Sequence, residues 1–143
     1  MSVAGNVIVT DTGFAPDDWQ AGFVTLAELA EGVAVLRAGL DLPADSQAED
    51  VVPHMARAGL IRIHFGAFSD GRGFTLARRL RRLGYDGRLR AVGHVLADQY
   101  AMARRSGFDE VEITADLAAR QPAAQWAFRA DWQAHDYQAR LRG

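Results

Sequence analysis

Short apolar runs recur along this chain and are separated by segments with helical spacing. The run at residues 33–36 predicts a buried strand because it is too short for a helix, and residues 60–65, 88–92 and 109–113 are also predicted as strands. Residues 60–65 (Leu-Ile-Arg-Ile-His-Phe) are the clearest of them. A polar loop is expected at residues 41–46.

Helical spacing of apolar residues fills the intervals between these runs. Helices are predicted at residues 49–58, 74–83, 95–105 and 123–141. The helix at 74–83 is the most distinct, because Leu76 and Leu80 share one side while four arginines occupy the other. Gly84 follows it as a stop signal, and Pro122 suits the first turn of the last helix.

The order of these elements predicts one α/β domain of about four βα units with a mainly parallel sheet and a C-terminal helix. Residues 33–143 form the predicted core, and residues 1–32 form an irregular N-terminal segment. Residues 7–9 there suggest a short strand, while 23–29 suit a strand or a helix. A small open sheet and a half-barrel both fit. A half-barrel leaves open edges, which favours a homodimer.

The composition of the 143 residues excludes several kinds of functional site. The chain has no cysteine, which excludes a disulfide, a thiolate metal site and a cysteine nucleophile. All 16 basic residues are arginine, which excludes a catalytic or phosphate-binding lysine. The net charge of −2 argues against nucleic-acid binding. No apolar run approaches the roughly 20 residues of a membrane span and no signal peptide is evident, so a cytoplasmic location is expected.

The first candidate site lies where the chain enters the arginine-rich helix. Its residues are Asp70, Gly71, Arg72, Gly73 and Thr75. The glycines allow a close approach of the backbone to an anion, the helix start offers N–H groups, and the arginine adds a forked contact. The alternative is a tight turn in which Asp70 caps the helix without any ligand.

The second candidate site follows the strand at 88–92. It comprises Arg90, Gly93 and His94, with Asp98 and Gln99 on the next helix. The histidine suits a general base or an anion donor. The alternative is structural: a capping histidine and a paired arginine. Glu112 lies in the predicted strand at 109–113 and is expected to form a plain ion pair with Arg90.

Other candidates have weaker support. The histidines show no metal-ligand spacing, so neither a metal nor another cofactor is expected. Arg78, Arg79, Arg81 and Arg82 are interpreted as a solvated helix face. His64 is interpreted as a satisfied strand histidine. Trp126, Trp132 and the C-terminal helix are considered available for assembly.

Several of these segments resemble a known bacterial family, the domain of unknown function numbered 934. The likeness rests on residues 70–78, 84–93, 98–99 and 107–109, with a weaker match at the closing Tyr137 and Gln138. The chain departs from the family pattern at Gly66, His94 and Ser106. Members are often encoded beside sulfite reductase genes, and some are labelled as a probable oxidoreductase in sulfite reduction.

The resemblance implies a pathway and leaves three hypotheses about activity. The first is a non-catalytic accessory protein of assimilatory sulfite or sulfate reduction that binds a partner reductase or a small anion. The second is an enzyme acting on a small phosphorylated or sulfur-oxyanion substrate, with His94 as acid or base and Arg72 and Arg90 as an anion clamp. The third is a structural dimer subunit.

Overall fold

The computed structural model of the protein describes residues 6–32, 38–67 and 71–127. Seven strands are present within these ranges: β1 (Val7–Thr10), β2 (Gly13–Pro16), β3 (Phe23–Thr25), β4 (Gly39–Pro43), β5 (Leu60–Phe65), β6 (Arg88–Gly93) and β7 (Glu110–Ile113). The same ranges contain six α-helices: α1 (Leu26–Ala30), α2 (Ala48–Val51), α3 (Arg72–Arg82), α4 (Tyr100–Ser106), α5 (Ala115–Arg120) and α6 (Ala123–Ala127). Two 3₁₀ helices, Val52–Arg57 and Ala97–Gln99, extend α2 and precede α4.

All seven strands form one sheet in the order β2-β1-β7-β6-β5-β4-β3. The five strands from β3 to β7 are parallel and lie in chain order, while β1 and β2 are antiparallel additions beside β7. The predicted single α/β domain with a mainly parallel sheet is therefore confirmed. Within the described residues, the parallel strands lie in chain order, and β2 and β3 are the edge strands of the sheet.

One face of the sheet carries the hydrophobic core. Because connections between parallel strands are almost always right-handed, helices that link strands in chain order pack on one side of the sheet. Ile61 and Ile63 of β5 and Leu89 of β6 are fully buried there, against Ala77 and Leu80 of α3. Burial of these apolar side chains is the main force that holds the helix layer on the sheet.

The opposite face of the sheet carries charge. Because side chains alternate along a strand, Arg62 and Arg90 point away from the core. Glu110 and Glu112 of β7 share this face with them. The segment between β2 and β3 lies over part of this surface, where Asp17 and Asp18 meet the arginines of β6.

Several boundaries differ from the sequence-based expectation. Residues 7–30 contain three strands and a helix where an irregular segment was expected, and the suggested strand at 7–9 is confirmed within β1. The expected strand at 33–36 lies entirely outside the described residues. Strand β4 occupies residues 39–43. The loop expected at 41–46 is therefore wrong for residues 41–43, which belong to this strand.

The helix predicted at residues 49–58 is α-helical only up to Val51 and then becomes a 3₁₀ helix. Pro53 explains this change, because it lacks the N–H group that would bond to the carbonyl of Glu49. The last predicted helix, 123–141, is described only over α6, and its remainder lies outside the described residues. None of the described helices is long and apolar enough to span a membrane.

Candidate functional site

The two predicted site segments lie at the same edge of the sheet. Strands β5 and β6 are parallel, with Phe65 paired in register to Gly93, so the segments that follow them leave the sheet together. The backbone N–H of His94 donates to the carbonyl oxygen of Phe65 at 3.1 Å. The carboxyl edge of a parallel sheet is where ligands bind in this class of fold.

An open cleft of about 380 Å³ lies at this edge, between the β4–α2 loop and the first two turns of α3. We call it the α3 cleft. Its lining residues are Ala44, Asp45, Ser46, Gln47, Ala48, Arg72, Thr75, Leu76 and Arg79. Two of the predicted site residues, Arg72 and Thr75, are therefore in the cleft. Sequence reasoning missed Arg79, which had been counted in the solvated helix face.

The charges around the α3 cleft favour an anion. The first turn of α3 contains no acidic residue, and its N-cap residue Gly71 has no side chain to occupy the free N–H groups. Arg72 and Arg79 bring two guanidinium groups to the lining, and Arg79 also donates to Glu49 of α2. Asp45 is the one acidic residue among the lining side chains.

Two of the three predicted site glycines, Gly73 and Gly93, have structural explanations. A Cβ on Gly73 would lie 2.3 Å from the ring of Phe65, so this glycine allows α3 to pack closely on β5. Gly93 has a φ of +107°, and a Cβ there would lie 2.7 Å from the carbonyl oxygen of Phe65. Packing and backbone conformation thus explain both glycines, whereas Gly71 has open space around its Cβ position.

Arg90 is separated from the α3 cleft. Its side chain is completely buried on the charged face of the sheet. Its Nε donates to Glu110 at 2.5 Å and its Nη1 donates to Glu112 at 2.9 Å, while Nη2 lies 3.1 Å from Asp17 as an ion pair outside hydrogen-bond geometry. Burial opposes the charge of Arg90, but these carboxylates raise its pKa above the ordinary range.

The predicted ion pair between Arg90 and Glu112 is thus confirmed. The structure does not assemble the predicted clamp of Arg72, Arg90 and His94, because three acidic groups surround the guanidinium of Arg90 and the cleft lining does not include it. His94 is exposed and is also outside that lining.

The remaining predicted residues have local roles or lie outside the described part. Gln99 accepts a hydrogen bond from the backbone of Leu96 at 2.8 Å and so caps the turn before α4. Asp98, beside it, is exposed. Asp70 is among the residues that the structure does not describe.

The predicted availability of Trp126 for assembly is wrong, because its side chain is 1% exposed and packs edge-on against Tyr100. Trp132 lies outside the described residues.

A second polar cluster occupies the charged face near the carboxyl end of β5. Asp41 accepts hydrogen bonds from Arg62 at 3.0 and 3.1 Å, and it lies 2.5 Å from Nε2 of the half-exposed His64. Burial opposes the charge of Asp41, but the hydrogen bonds from His64 and Arg62 outweigh it and lower the pKa of this carboxyl.

Sequence reasoning missed this cluster because Asp41 had been assigned to a loop. Within the described ranges, no group of three His, Asp or Glu side chains is placed to hold a metal ion.

Comparison with known proteins identifies the family of this chain. A search of curated proteins found no match. Residues 39–143, which include β4 to β7 and both predicted site segments, match the family described as "Bacterial protein of unknown function (DUF934)". Since this match covers well over half of the chain, the protein belongs to the DUF934 family.

Proposed function

We propose that the protein is a non-catalytic accessory protein of assimilatory sulfite reduction that binds a sulfur oxyanion in the α3 cleft. One observation carries the proposal: Arg72 and Arg79 line a cleft at the start of a helix that has no acidic residue in its first turn. A guanidinium group matches an oxyanion with two parallel hydrogen bonds, and the helix start adds N–H donors and a partial positive charge.

The size and charge of the α3 cleft indicate which ligands it can bind. A volume of about 380 Å³ exceeds that of sulfite or sulfate, so it also accommodates a larger molecule or a partner's side chain that ends in an oxyanion. Asp45 in the lining repels such a group. Replacing Asp45 by Asn is therefore expected to tighten binding, whereas Arg72→Gln is expected to weaken it.

The arrangement of the remaining polar groups favours an accessory role over the enzyme hypothesis. Arg90 is held by Glu110, Glu112 and Asp17, and the cleft lining does not include His94. Among the described residues, the two groups that the enzyme hypothesis assigned to acid–base chemistry and to the anion clamp beside Arg72, His94 and Arg90, are therefore not in the lining of the α3 cleft. The pathway itself comes from the family resemblance, and a reductase of that pathway is the proposed partner.

Isothermal titration calorimetry with sulfite and with sulfate tests the binding step. We expect saturable binding to the wild-type protein and a loss of about 10-fold in affinity in Arg72→Gln, since one charge-assisted contact contributes roughly 1.5 kcal/mol. Arg57→Gln is the matched control, because Arg57 is exposed and lies outside the cleft. Absence of binding, or equal losses in the two variants, would contradict the proposal.

The pathway requires a separate test in cells. A deletion strain should grow poorly with sulfate or sulfite as the only sulfur source and normally with cysteine. The wild-type gene should restore growth, and the Arg72→Gln gene should restore it only in part. Normal growth of the deletion strain on sulfite would refute the pathway assignment.

A further inference from the structure

The outward face of α3 is unusual in its charge. Residues 71–83 contain five arginines and no acidic residue, although the whole chain has a net charge of −2. Gly73, Ala77 and Leu80 on the inner side are buried, whereas Arg78 and Arg82 on the outer side are exposed. The excess of positive charge is therefore local to one helix face.

The arginines of α3 differ in the contacts that their side chains make. Arg81 donates to the carbonyl oxygens of Gly87 and Gly107 and is a structural residue that ties α3 to the end of α4. Arg79 pairs with Glu49. By contrast, neither Arg78 nor Arg82 forms a side-chain ion pair or hydrogen bond within the described part of the chain.

Two unpaired arginines four residues apart do not stabilise a helix. Like charges at this spacing oppose helix formation by about 0.2–0.5 kcal/mol, and no acidic residue of α3 offsets Arg78 and Arg82. Two exposed apolar side chains belong to the same pair of helices: Leu83, at the end of α3, is 47% exposed, and Met102 of α4 is 46% exposed. Arginine with methionine and other apolar side chains is typical of surfaces that bind proteins.

We propose that the outward face of α3, formed by Arg78 and Arg82, is a docking surface for an acidic helical segment of another protein. The charges are complementary, because Arg78 and Arg82 lie one helical turn apart, about 6 Å, which matches carboxylates spaced four residues apart on a partner helix. A nucleic acid fits less well, because α3 exposes no aromatic ring for base stacking and the chain is net negative.

This surface is separate from the oxyanion-binding groups of the α3 cleft, since neither Arg78 nor Arg82 lines it. Calorimetry with sulfite on the same variants therefore distinguishes a failure of this inference from a failure of the proposed function. Arg78→Glu/Arg82→Glu should leave sulfite binding within about 2-fold of the wild-type value.

The probe is a fluorescent helical peptide of about 20 residues with glutamates spaced four apart, followed by anisotropy at about 0.01 M salt. We expect saturable binding that weakens as salt is added. Arg78→Glu/Arg82→Glu should lose about 10-fold or more, because two exposed ion pairs become two repulsive contacts. Arg57→Glu/Arg120→Glu changes the net charge equally at other exposed positions and should stay within about 2-fold.

Three outcomes would overturn the docking surface. The first is no binding of the glutamate peptide by the wild-type protein while circular dichroism shows it folded. The second is an equal loss in both double variants, which would indicate a diffuse charge effect. The third is tighter binding of a single-stranded DNA of equal length, which would make this face a nucleic-acid surface instead.

Discussion

Replacing Arg90 by Met tests whether the charged sheet face is a structural network. Arg90 is fully buried and contacts Glu110, Glu112 and Asp17 at 2.5, 2.9 and 3.1 Å. Removing one partner of a buried ion pair costs about 3–5 kcal/mol, because the remaining charge stays buried without compensation. Methionine retains much of the side-chain volume, so the loss reflects charge more than cavity formation.

The lower end of that range applies here, because two of the carboxylates keep other partners. Glu110 still accepts from Arg88 at 2.8 Å, and Glu112 still accepts from Arg62 at 3.2 Å and from Asn6 at 2.8 Å. We therefore expect a loss of about 3 kcal/mol in the free energy of unfolding at pH 7. The melting temperature should fall by roughly 10 °C.

Urea denaturation followed by circular dichroism measures this loss. Arg120→Met is the matched control, since the pair of Arg120 with Asp116 is exposed and should be worth no more than about 0.5 kcal/mol. Arg90→Met/Glu110→Gln should recover part of the lost stability, because the neutral amide has less need of a partner. A free energy of unfolding for Arg90→Met within about 1 kcal/mol of the wild-type value would refute the network as a structural element.

Three further predictions concern backbone packing and acid stability. Gly73→Ala should cost about 1–3 kcal/mol, because its Cβ would lie 2.3 Å from the ring of Phe65. Gly93→Ala should cost more, about 3 kcal/mol, since a positive φ of +107° adds backbone strain to a contact of 2.7 Å. Gly71→Ala is the control for both, with open space at its Cβ and a φ of −80°, and should be neutral or slightly stabilising in urea titrations. The hydrogen bond from Arg88 lowers the pKa of Asp18, so its contribution is complete above about pH 4 and is lost as the pH falls through the lowered pKa. Asp18→Asn should therefore flatten the acid limb of the stability profile.

Each of these three predictions has its own contradicting result. Equal stabilities of Gly73→Ala and Gly71→Ala would mean that Phe65 moves aside at no cost. A Gly93→Ala protein as stable as the wild type would exclude backbone strain at that bend. An unchanged slope of stability against pH in Asp18→Asn would show that this carboxylate does not contribute to acid sensitivity.

The regular core of this fold is predictable because its signals are local. Strand β5 is a continuous apolar run, and α3 shows apolar residues on one side and arginines on the other. Alternation of such segments implies crossovers and hence parallel strands, as the register of β5 and β6 confirms. The start of α3 was predicted as a site for the same reason, and Arg72 and Thr75 do line the cleft.

What the sequence did not reveal depends on contacts between distant residues. Strand β4 was obscured because it contains Asp41, whose partner Arg62 lies on the next strand. Residues 7–9 suggested a strand, but the pairing of β1 with β2 and with β7 is not recorded by any local pattern. One signal was available: charged residues at alternate positions of β6 and β7 indicate a polar second face of the sheet.

A titration of ¹⁵N-labelled protein with sulfite tests directly whether the α3 cleft, and not Arg90, is the oxyanion-binding site. Saturable shifts should concentrate on the amides of residues 44–48 and 72–79, and Arg72→Gln should abolish most of them. Shifts centred on β6 and β7 around Arg90, or no saturable shifts at all, would contradict sulfite binding in the α3 cleft.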